Sequence, residues 1–234
     1  MKNKKAQEVA HVVNIRKLNK KNEFVKEVLR WYNHNRKSYP WRLTKNPYKI
    51  LTTEMLLRKT TRMQVKRVFP IFFKKFPTVK SLAHAEQKEI EKIVTSLGME
   101  RTRSKLLLDV AKTISKTYHG TVPTRKEDLL NLPGVGEYTA SAVLLLTKSE
   151  KHPLVDTNSK RVIERIFIGE KTSRRVDRET RDFVSLLLPE KQFVEFNLAI
   201  LDFAASVCTS RNPRCGTCPL TKICLYYRNN TNFK

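Results

Sequence analysis

Four cysteines lie within seventeen residues near the C-terminus, and they constrain this chain more than any other feature. The cysteines are spaced C-x6-C-x2-C-x5-C and no others occur in the chain: Cys208, Cys215, Cys218 and Cys224. Four thiolates in one short run form a ligand set for a soft metal centre, either a structural zinc ion or an iron–sulfur cluster. Zinc sites usually pair their cysteines as two C-x2–4-C units. Only Cys215 and Cys218 are spaced that way, which favours an iron–sulfur cluster.

The charge of the chain points to a polyanionic partner. Its 234 residues carry a formal net charge of +25, and such a surface repels itself unless a polyanion offsets the charge. Nucleic acid is therefore favoured over a membrane surface. No apolar run of about 18 residues occurs, and the lysine-rich N-terminus lacks the apolar core of a secretory signal. We expect no membrane span and an intracellular protein with reduced cysteines, so two disulfides are the less favoured alternative.

Helical periodicity of apolar residues recurs from about Glu23 onward, and sustained period-two alternation is absent. Turns containing proline or glycine separate the periodic stretches. These patterns predict an all-α fold with helices over 47–57, 61–75, 86–96, 103–118, 137–148, 156–168, 177–188 and 191–206. Residues 1–20, which are rich in lysine and poor in apolar residues, are predicted to form a flexible basic arm.

Two of the six glycines lie in one turn, Leu132-Pro133-Gly134-Val135-Gly136, just before a predicted helix. Gly134 and Gly136 permit backbone angles closed to other residues and allow a second backbone to approach. Free N–H groups and the helix dipole near Glu137 favour a bound phosphate. The turn fits a helix–hairpin–helix that grips the DNA backbone without reading its sequence, or an ordinary turn with a glycine cap. The net charge and the cysteine run favour DNA.

Three segments together resemble the helix–hairpin–helix DNA glycosylases of the endonuclease III superfamily: LPGVGEYTA at 132–140, LVDTNSKRV at 154–162 and the cysteine run. The resemblance covers residues from about 25 to 227. It implies two helical lobes, a six-helix barrel with the helix–hairpin–helix at 44–150 and an iron–sulfur domain formed by 21–43 and 151–234. It also implies a [4Fe–4S] cluster on the four cysteines, a monomer, and a target base flipped out of double-stranded DNA into a cleft between the lobes.

The resemblance also implies three catalytic residues. Asp156 matches the family's essential aspartate, which stabilises positive charge on the deoxyribose and orients water; capping the next helix is its alternative or additional role. Tyr138 stands where bifunctional relatives carry a Schiff-base lysine, so hydrolysis without efficient lyase activity is expected. Packing is the alternative for Tyr138. Glu54, in ILTTEMLLRKTT at 50–61, matches a glutamate that assists the leaving base; a solvated helix face is the alternative.

Three further positions are candidates for DNA contacts beside Gly134, Val135 and Gly136. Arg58 and Lys59 stand where the adenine branch of the family has glutamines that fill the gap left by the flipped base. Arg58 is interpreted as a wedge or a reader of the orphan base, although either residue can instead contact phosphate. Met99 is a candidate apolar wedge between bases, with ordinary loop packing as the alternative.

The segment YPWRLTKNPYKILTTEMLLRKTT at 39–61, together with Tyr138, is similar to the archaeal-type thymine mismatch branch of this family. The predicted function is hydrolytic removal of thymine or uracil from G:T and G:U mismatches in the cytoplasm and nucleoid, or in a eukaryotic nucleus. Removal of adenine opposite oxidised guanine is an alternative, although the extra C-terminal domain of that branch is not expected here. An oxidised-pyrimidine glycosylase and a non-catalytic iron–sulfur DNA-binding module are the remaining alternatives.

Overall fold

The computed structural model describes residues 20–170 and 176–230, and all regular elements within these ranges are helical. The predicted all-α fold is therefore confirmed. The chain divides into two compact units, of which one is Ser38–His152 and the other combines the described residues before and after it. The basic arm predicted at 1–20 lies outside the described residues except for Lys20. None of the described helices is long and apolar enough to cross a membrane.

Twelve α-helices occur among the described residues, and short 3-10 turns at Pro40–Arg42, Thr95–Leu97 and Cys215–Thr217 accompany them. The α-helices are α1 (20–35), α2 (Pro47–Leu56), α3 (Arg62–Lys75), α4 (Val79–Ala83), α5 (Gln87–Val94), α6 (Glu100–Thr117), α7 (Lys126–Leu130), α8 (Glu137–Lys148), α9 (Thr157–Phe167), α10 (Arg178–Leu187), α11 (Phe193–Ser206) and α12 (Leu225–Asn229).

Helix α2 is the buried centre of the unit Ser38–His152. Asn46 caps its first turn by accepting a hydrogen bond from the Lys49 backbone N–H, and Pro47 occupies the first helical position, where its missing N–H is not needed. Every residue from Ile50 to Leu56 is buried, because α2 packs against α3, α6 and α8. This packing fixes the end of α2, and the turn that follows it, relative to α6 and α8.

The chain turns sharply between α2 and α3. Thr61 caps α3 through a capping box, in which its hydroxyl accepts from the Gln64 N–H while the Gln64 side chain accepts from the Thr61 N–H. The turn therefore runs from the end of α2 to the cap of α3, and it contains Arg58 and Lys59.

The second unit is built around α9, which packs against α11 and α12. Phe24 of α1 makes edge-to-face contacts with Phe167 of α9 and Phe196 of α11, at centroid distances of 5.3 and 5.7 Å. The Asn197 side chain accepts a 2.7 Å hydrogen bond from the Leu154 N–H. This bond anchors the extended segment that leads into Asp156.

Candidate active site, DNA-contact turns and metal centre

The glycine turn joins α7 to α8 and is held by a 3.0 Å hydrogen bond from the Val135 N–H to the Leu132 carbonyl. Gly134 has a left-handed φ of +67°, and a Cβ there would come within 2.8 Å of Leu106 Cδ1. Gly136 precedes this 12-residue helix and provides no side-chain cap, and the partial positive charge at the start of α8 favours a bound anion. Val135 is only 7% exposed, so a DNA contact at this position would involve its backbone.

Replacing Gly134 by alanine is expected to destabilise this turn by about 1–2 kcal/mol, because an L-residue is strained in the left-handed region. Gly136→Ala is the matched control, since its backbone is extended and a Cβ there meets nothing within 4 Å. Chemical denaturation of the three proteins measures the difference. Equal losses in both variants would show that backbone conformation at Gly134 is not the cause.

Arg58, interpreted from the sequence as a wedge, is directed into the protein. Its Nη2 donates to the Gly134 carbonyl at 2.6 Å and to Thr139 Oγ1 at 3.3 Å. Burial lowers the pKa of its guanidinium, and the negative charge of Glu54 partly opposes that effect. In the protein without DNA, the hairpin therefore engages the donor group that a wedge would use at a base, and the role of Arg58 at DNA stays a prediction.

Lys59 and Met99 occupy exposed turns. Both adopt left-handed backbone conformations, with φ of 52° and 54°, and Met99 is 50% exposed at the start of α6. Non-glycine residues in this region cost about 1–2 kcal/mol and are concentrated at functional sites. Their exposure and backbone geometry suit side chains that enter a partner, although their roles at DNA stay predictions.

Glu54 and Tyr138 lie on α2 and α8, two helices that pack against each other. Glu54 is only 9% exposed, so it does not lie on a solvated helix face. Its charge interacts with Arg58, which lies one helical turn further along the chain. Tyr138 is half-buried at the second position of α8, directly after the glycine turn. Burial of Glu54 suits a catalytic acid, and Tyr138 places a residue without an amine beside the hairpin, but the catalytic roles of both residues stay predictions.

Asp156 caps α9 with a fixed, half-buried carboxylate. Its Oδ1 accepts from the backbone N–H groups of Asn158 and Ser159, at 2.9 and 2.7 Å, and its Oδ2 accepts from the Asn158 side chain at 3.1 Å. The Ser159 hydroxyl accepts in turn from the Asp156 N–H at 2.8 Å, which completes a capping box. The predicted capping role is present, and the same bonds orient the carboxylate for a second role.

Arg161 and Arg165 of α9 donate hydrogen bonds to Cys208, the first cysteine of the run. Neither arginine was predicted from the sequence. Arg161 donates to the Cys208 and Ala204 carbonyls at 3.0 and 2.9 Å, and to the side chain of Asn158 at 2.9 Å. Arg165 donates to Cys208 Sγ at 3.4 Å and to the next two carbonyls, and its guanidinium lies 4.6 Å from the Tyr226 ring centroid. Their i, i+4 spacing places both arginines on one face of a largely buried helix, and this spacing could have indicated a shared buried partner.

The four cysteines line one cavity together with Arg165 and Tyr226. The pKa of the Cys218 thiol is raised to about 12, mainly by burial and further by the negative charges of the other three cysteines. Four cysteine thiols around one cavity are the donor set that an iron–sulfur cluster takes, so the residues present fit such a cluster.

Comparison with known families identifies the class of protein. Residues 52–185 match the HhH-GPD superfamily base excision DNA repair proteins, and residues 208–224 match the iron-sulfur binding domain of endonuclease III. Because the first match covers more than half of the chain, this protein belongs to the HhH-GPD superfamily of base excision DNA repair proteins.

Individual DNA glycosylases are similar to this chain over most of its length. The thymine-DNA glycosylase of Aeropyrum pernix is 40% identical, over 87% of this chain and 94% of that protein. The thymine/uracil-DNA glycosylase of Methanothermobacter thermautotrophicus is 36% identical, over 89% and 95%. An adenine DNA glycosylase of Mycolicibacterium smegmatis is 35% identical, over 83% and 67%. Among solved structures, a thermostable thymine-DNA glycosylase superimposes with a TM-score of 0.85 at 34% identity, covering 92% of this chain and 99% of that one.

Proposed function

We propose that this protein is a DNA N-glycosylase that removes thymine or uracil from G:T and G:U mismatches by hydrolysis and leaves an intact abasic site. The observation that carries the proposal is the carboxylate of Asp156, which three N–H donors orient at the start of α9. Similarity over nearly the full length of thymine and thymine/uracil glycosylases supports the choice of base. The adenine glycosylase relative is 35% identical, below the 40% of the thymine-DNA glycosylase, and adenine removal is therefore the second candidate.

Asp156 is proposed to act on the sugar. Cleavage of the N-glycosidic bond develops positive charge on the deoxyribose, and a fixed carboxylate stabilises that charge without reorganising. The same carboxylate can accept a proton from the attacking water. Since its hydrogen-bond donors lie within two or three residues on one helix end, the carboxylate is held in place before substrate arrives.

Glu54 is proposed to assist the departure of the base, and Tyr138 is proposed to limit the reaction to hydrolysis. Glu54 is buried on α2, where a carboxylic acid can donate a hydrogen bond or a proton to the departing base and make its expulsion easier. Tyr138 has no amine, so it cannot form the Schiff base that strand cleavage by a lyase requires. Hydrolysis by water is therefore the proposed outcome.

DNA is proposed to be held by the glycine turn and the exposed turns of the same unit. The partial positive charge at the start of α8 suits a backbone phosphate, and the overall charge of +25 suits the duplex as a whole. Lys59 and Met99 would fill the space beside the flipped base. We further propose that the four cysteines carry a [4Fe–4S] cluster and that the protein acts as a monomer.

Single-turnover excision tests the proposed function. Labelled duplexes would carry G:T, G:U, adenine opposite oxidised guanine, or thymine glycol, and each reaction would be read with and without alkali. We expect alkali-dependent breaks at G:T and G:U only. Cleavage of the adenine strand would instead place the protein in the adenine branch, and breaks without alkali would mean that an amine elsewhere performs lyase chemistry. Binding without cleavage of any duplex would support a non-catalytic module.

A further inference from the structure

Arg103 of α6 is a buried arginine that bonds to two separate turns. Its side chain is 6% exposed. Its Nη1 donates to the carbonyls of Met55 and Leu56, both at 2.9 Å, which are orphan acceptors at the end of α2. Its Nη2 donates to the Arg58 carbonyl at 2.9 Å and its Nε to the Gly98 carbonyl at 3.3 Å. The bonds to Met55 and Leu56 are enough to cap α2. The bonds to the Arg58 and Gly98 carbonyls therefore indicate a further role in the two turns.

Arg58 continues this connection to the glycine turn. Its carbonyl accepts from Arg103, while its own guanidinium donates to the Gly134 carbonyl and to Thr139 Oγ1. Two arginines in series therefore tie together three turns, which are the turn 57–61 after α2, the turn 98–99 before α6, and the glycine turn 132–136. All three belong to the unit Ser38–His152.

The bonds of Arg103 fall directly before the two exposed left-handed residues. The Arg58 carbonyl precedes Lys59, and the Gly98 carbonyl precedes Met99. Left-handed conformations at non-glycine residues persist only where their surroundings hold them. One buried guanidinium thus holds the backbone beside both Lys59 and Met99, and with it the separation of the two turns.

Burying two positively charged arginines close together costs free energy, which their hydrogen bonds must offset. Burial lowers the pKa of Arg103, and the neighbouring charge of Arg58 lowers it further. Burial also lowers the pKa of Arg58, and the negative charge of Glu54 partly opposes that change. Two like charges in a desolvated region destabilise the fold unless their hydrogen bonds compensate, and here five of the six bonds go to backbone carbonyls, three of which lie in the turns.

We propose that Arg103 and Arg58 are positioning residues that hold the three turns as one preformed surface, so that Lys59 and Met99 enter the duplex together while the glycine turn holds the phosphate backbone. Setting this surface before binding removes the entropic cost of ordering three separate turns on DNA. The inference rests on the proposed function, in which Lys59 and Met99 fill the space beside the flipped base.

A double-mutant cycle with Arg103→Lys, Met99→Ala and the combined variant tests this proposal. One readout is the single-turnover rate on a G:U duplex at saturating enzyme. The other is the fluorescence of 2-aminopurine placed next to the mismatch, which reports unstacking. Lysine lacks the planar fork that bonds four carbonyls, so Arg103→Lys should slow excision by about 10²-fold and reduce the fluorescence rise. Met99→Ala should then cost much less in the Arg103→Lys protein than in the wild type.

Additive effects would overturn the proposal, because a purely structural role of Arg103 would leave the contribution of Met99 unchanged. A Met99→Ala protein indistinguishable from the wild type would overturn it too. Arg101→Lys, an exposed change of the same kind on α6, is the matched control and should preserve the coupling. If wild type fails to excise from G:T and G:U, the proposed function fails; if it excises but the variants are additive, only this inference fails.

A second set of variants avoids the buried guanidinium in case Arg103→Lys does not fold. Arg58→Gln shortens the side chain that reaches the Gly134 carbonyl, and the same loss of coupling with Met99 is expected. Arg58→Lys should partly restore it, because an ammonium group can still donate to that carbonyl. Thr139→Val removes the weaker 3.3 Å contact and should have the smallest effect. Full coupling retained in Arg58→Gln would contradict the role assigned to Arg58.

Discussion

Replacing Asp156 by asparagine is expected to abolish base excision while leaving DNA binding and stability nearly unchanged. Asparagine caps helices about as well as aspartate, and its side-chain oxygen can still accept from the Asn158 and Ser159 N–H groups. The variant therefore keeps the backbone cap, and it loses the negative charge and the oxygen that accepts from the Asn158 side-chain amide. Loss of that charge should lower the single-turnover rate on G:T and G:U duplexes by about 10³-fold.

The chain offers a matched control for this substitution. Asp177 caps α10 with the same chemistry, since its Oδ1 accepts from the Thr180 N–H at 2.8 Å and from the Thr180 hydroxyl at 2.6 Å. These hydrogen bonds lower the pKa of Asp177. Asp177→Asn should leave the excision rate within about twofold of wild type, because a capping carboxylate outside the site has no part in chemistry. If both variants lost activity equally, helix capping and not catalysis would explain the effect at Asp156.

Affinity for DNA separates catalysis from binding in the same proteins. Asp156→Asn removes one negative charge, so its affinity for a G:U duplex should be equal to or slightly higher than that of the wild type. Titration with a labelled duplex measures this directly. A variant that loses affinity and activity in parallel would contradict a role for Asp156 confined to the bond-breaking step.

Long helices could be predicted from the sequence because their apolar residues repeat over several turns. The predicted helix at 137–148 matches α8, and the helices predicted at 61–75 and 177–188 match α3 and α10 within one residue at each end. Helices α4, α7 and α12 were missed. Each has only five residues, which is little more than one turn and too short to show a period.

Local site features could also be predicted, whereas long-range contacts could not. The cap at Asp156 and the glycine turn before α8 involve residues close together in the chain, so the local sequence indicated them. The Arg58–Gly134 bond joins residues 76 positions apart, and no local pattern reveals such a partner. Arg103 was hidden for a different reason, because one arginine among 47 lysines and arginines resembles surface charge.

Removing one cysteine of the run is expected to have the second large effect. Cys218→Ala should yield a protein without bound iron or visible colour and with a Tm at least about 10 °C lower, since metal binding and folding are coupled. Iron and sulfide content, the visible spectrum and thermal unfolding measure these changes without depending on activity.

Thr217→Ala is the control for this experiment, because it changes an exposed neighbour in the same loop and leaves all four cysteines in place. It should bind iron and unfold like the wild type. A wild-type protein that contains zinc and no iron, or a Cys218→Ala protein that keeps its colour and stability, would contradict the proposed cluster.

Hydrogen exchange should locate the damage in Cys218→Ala. Arg161 and Arg165 connect α9 to the segment 208–210, so loss of the cluster should release that segment and expose the amides of α9, α11 and α12. Helices α2 and α8 belong to the other compact unit and should keep their protection. Because Asp156 caps α9, its carboxylate should lose its fixed position in the same variant, which would make excision fail even where the hairpin still binds DNA. Protection lost uniformly across both units would instead mean that the cluster stabilises the protein as a whole.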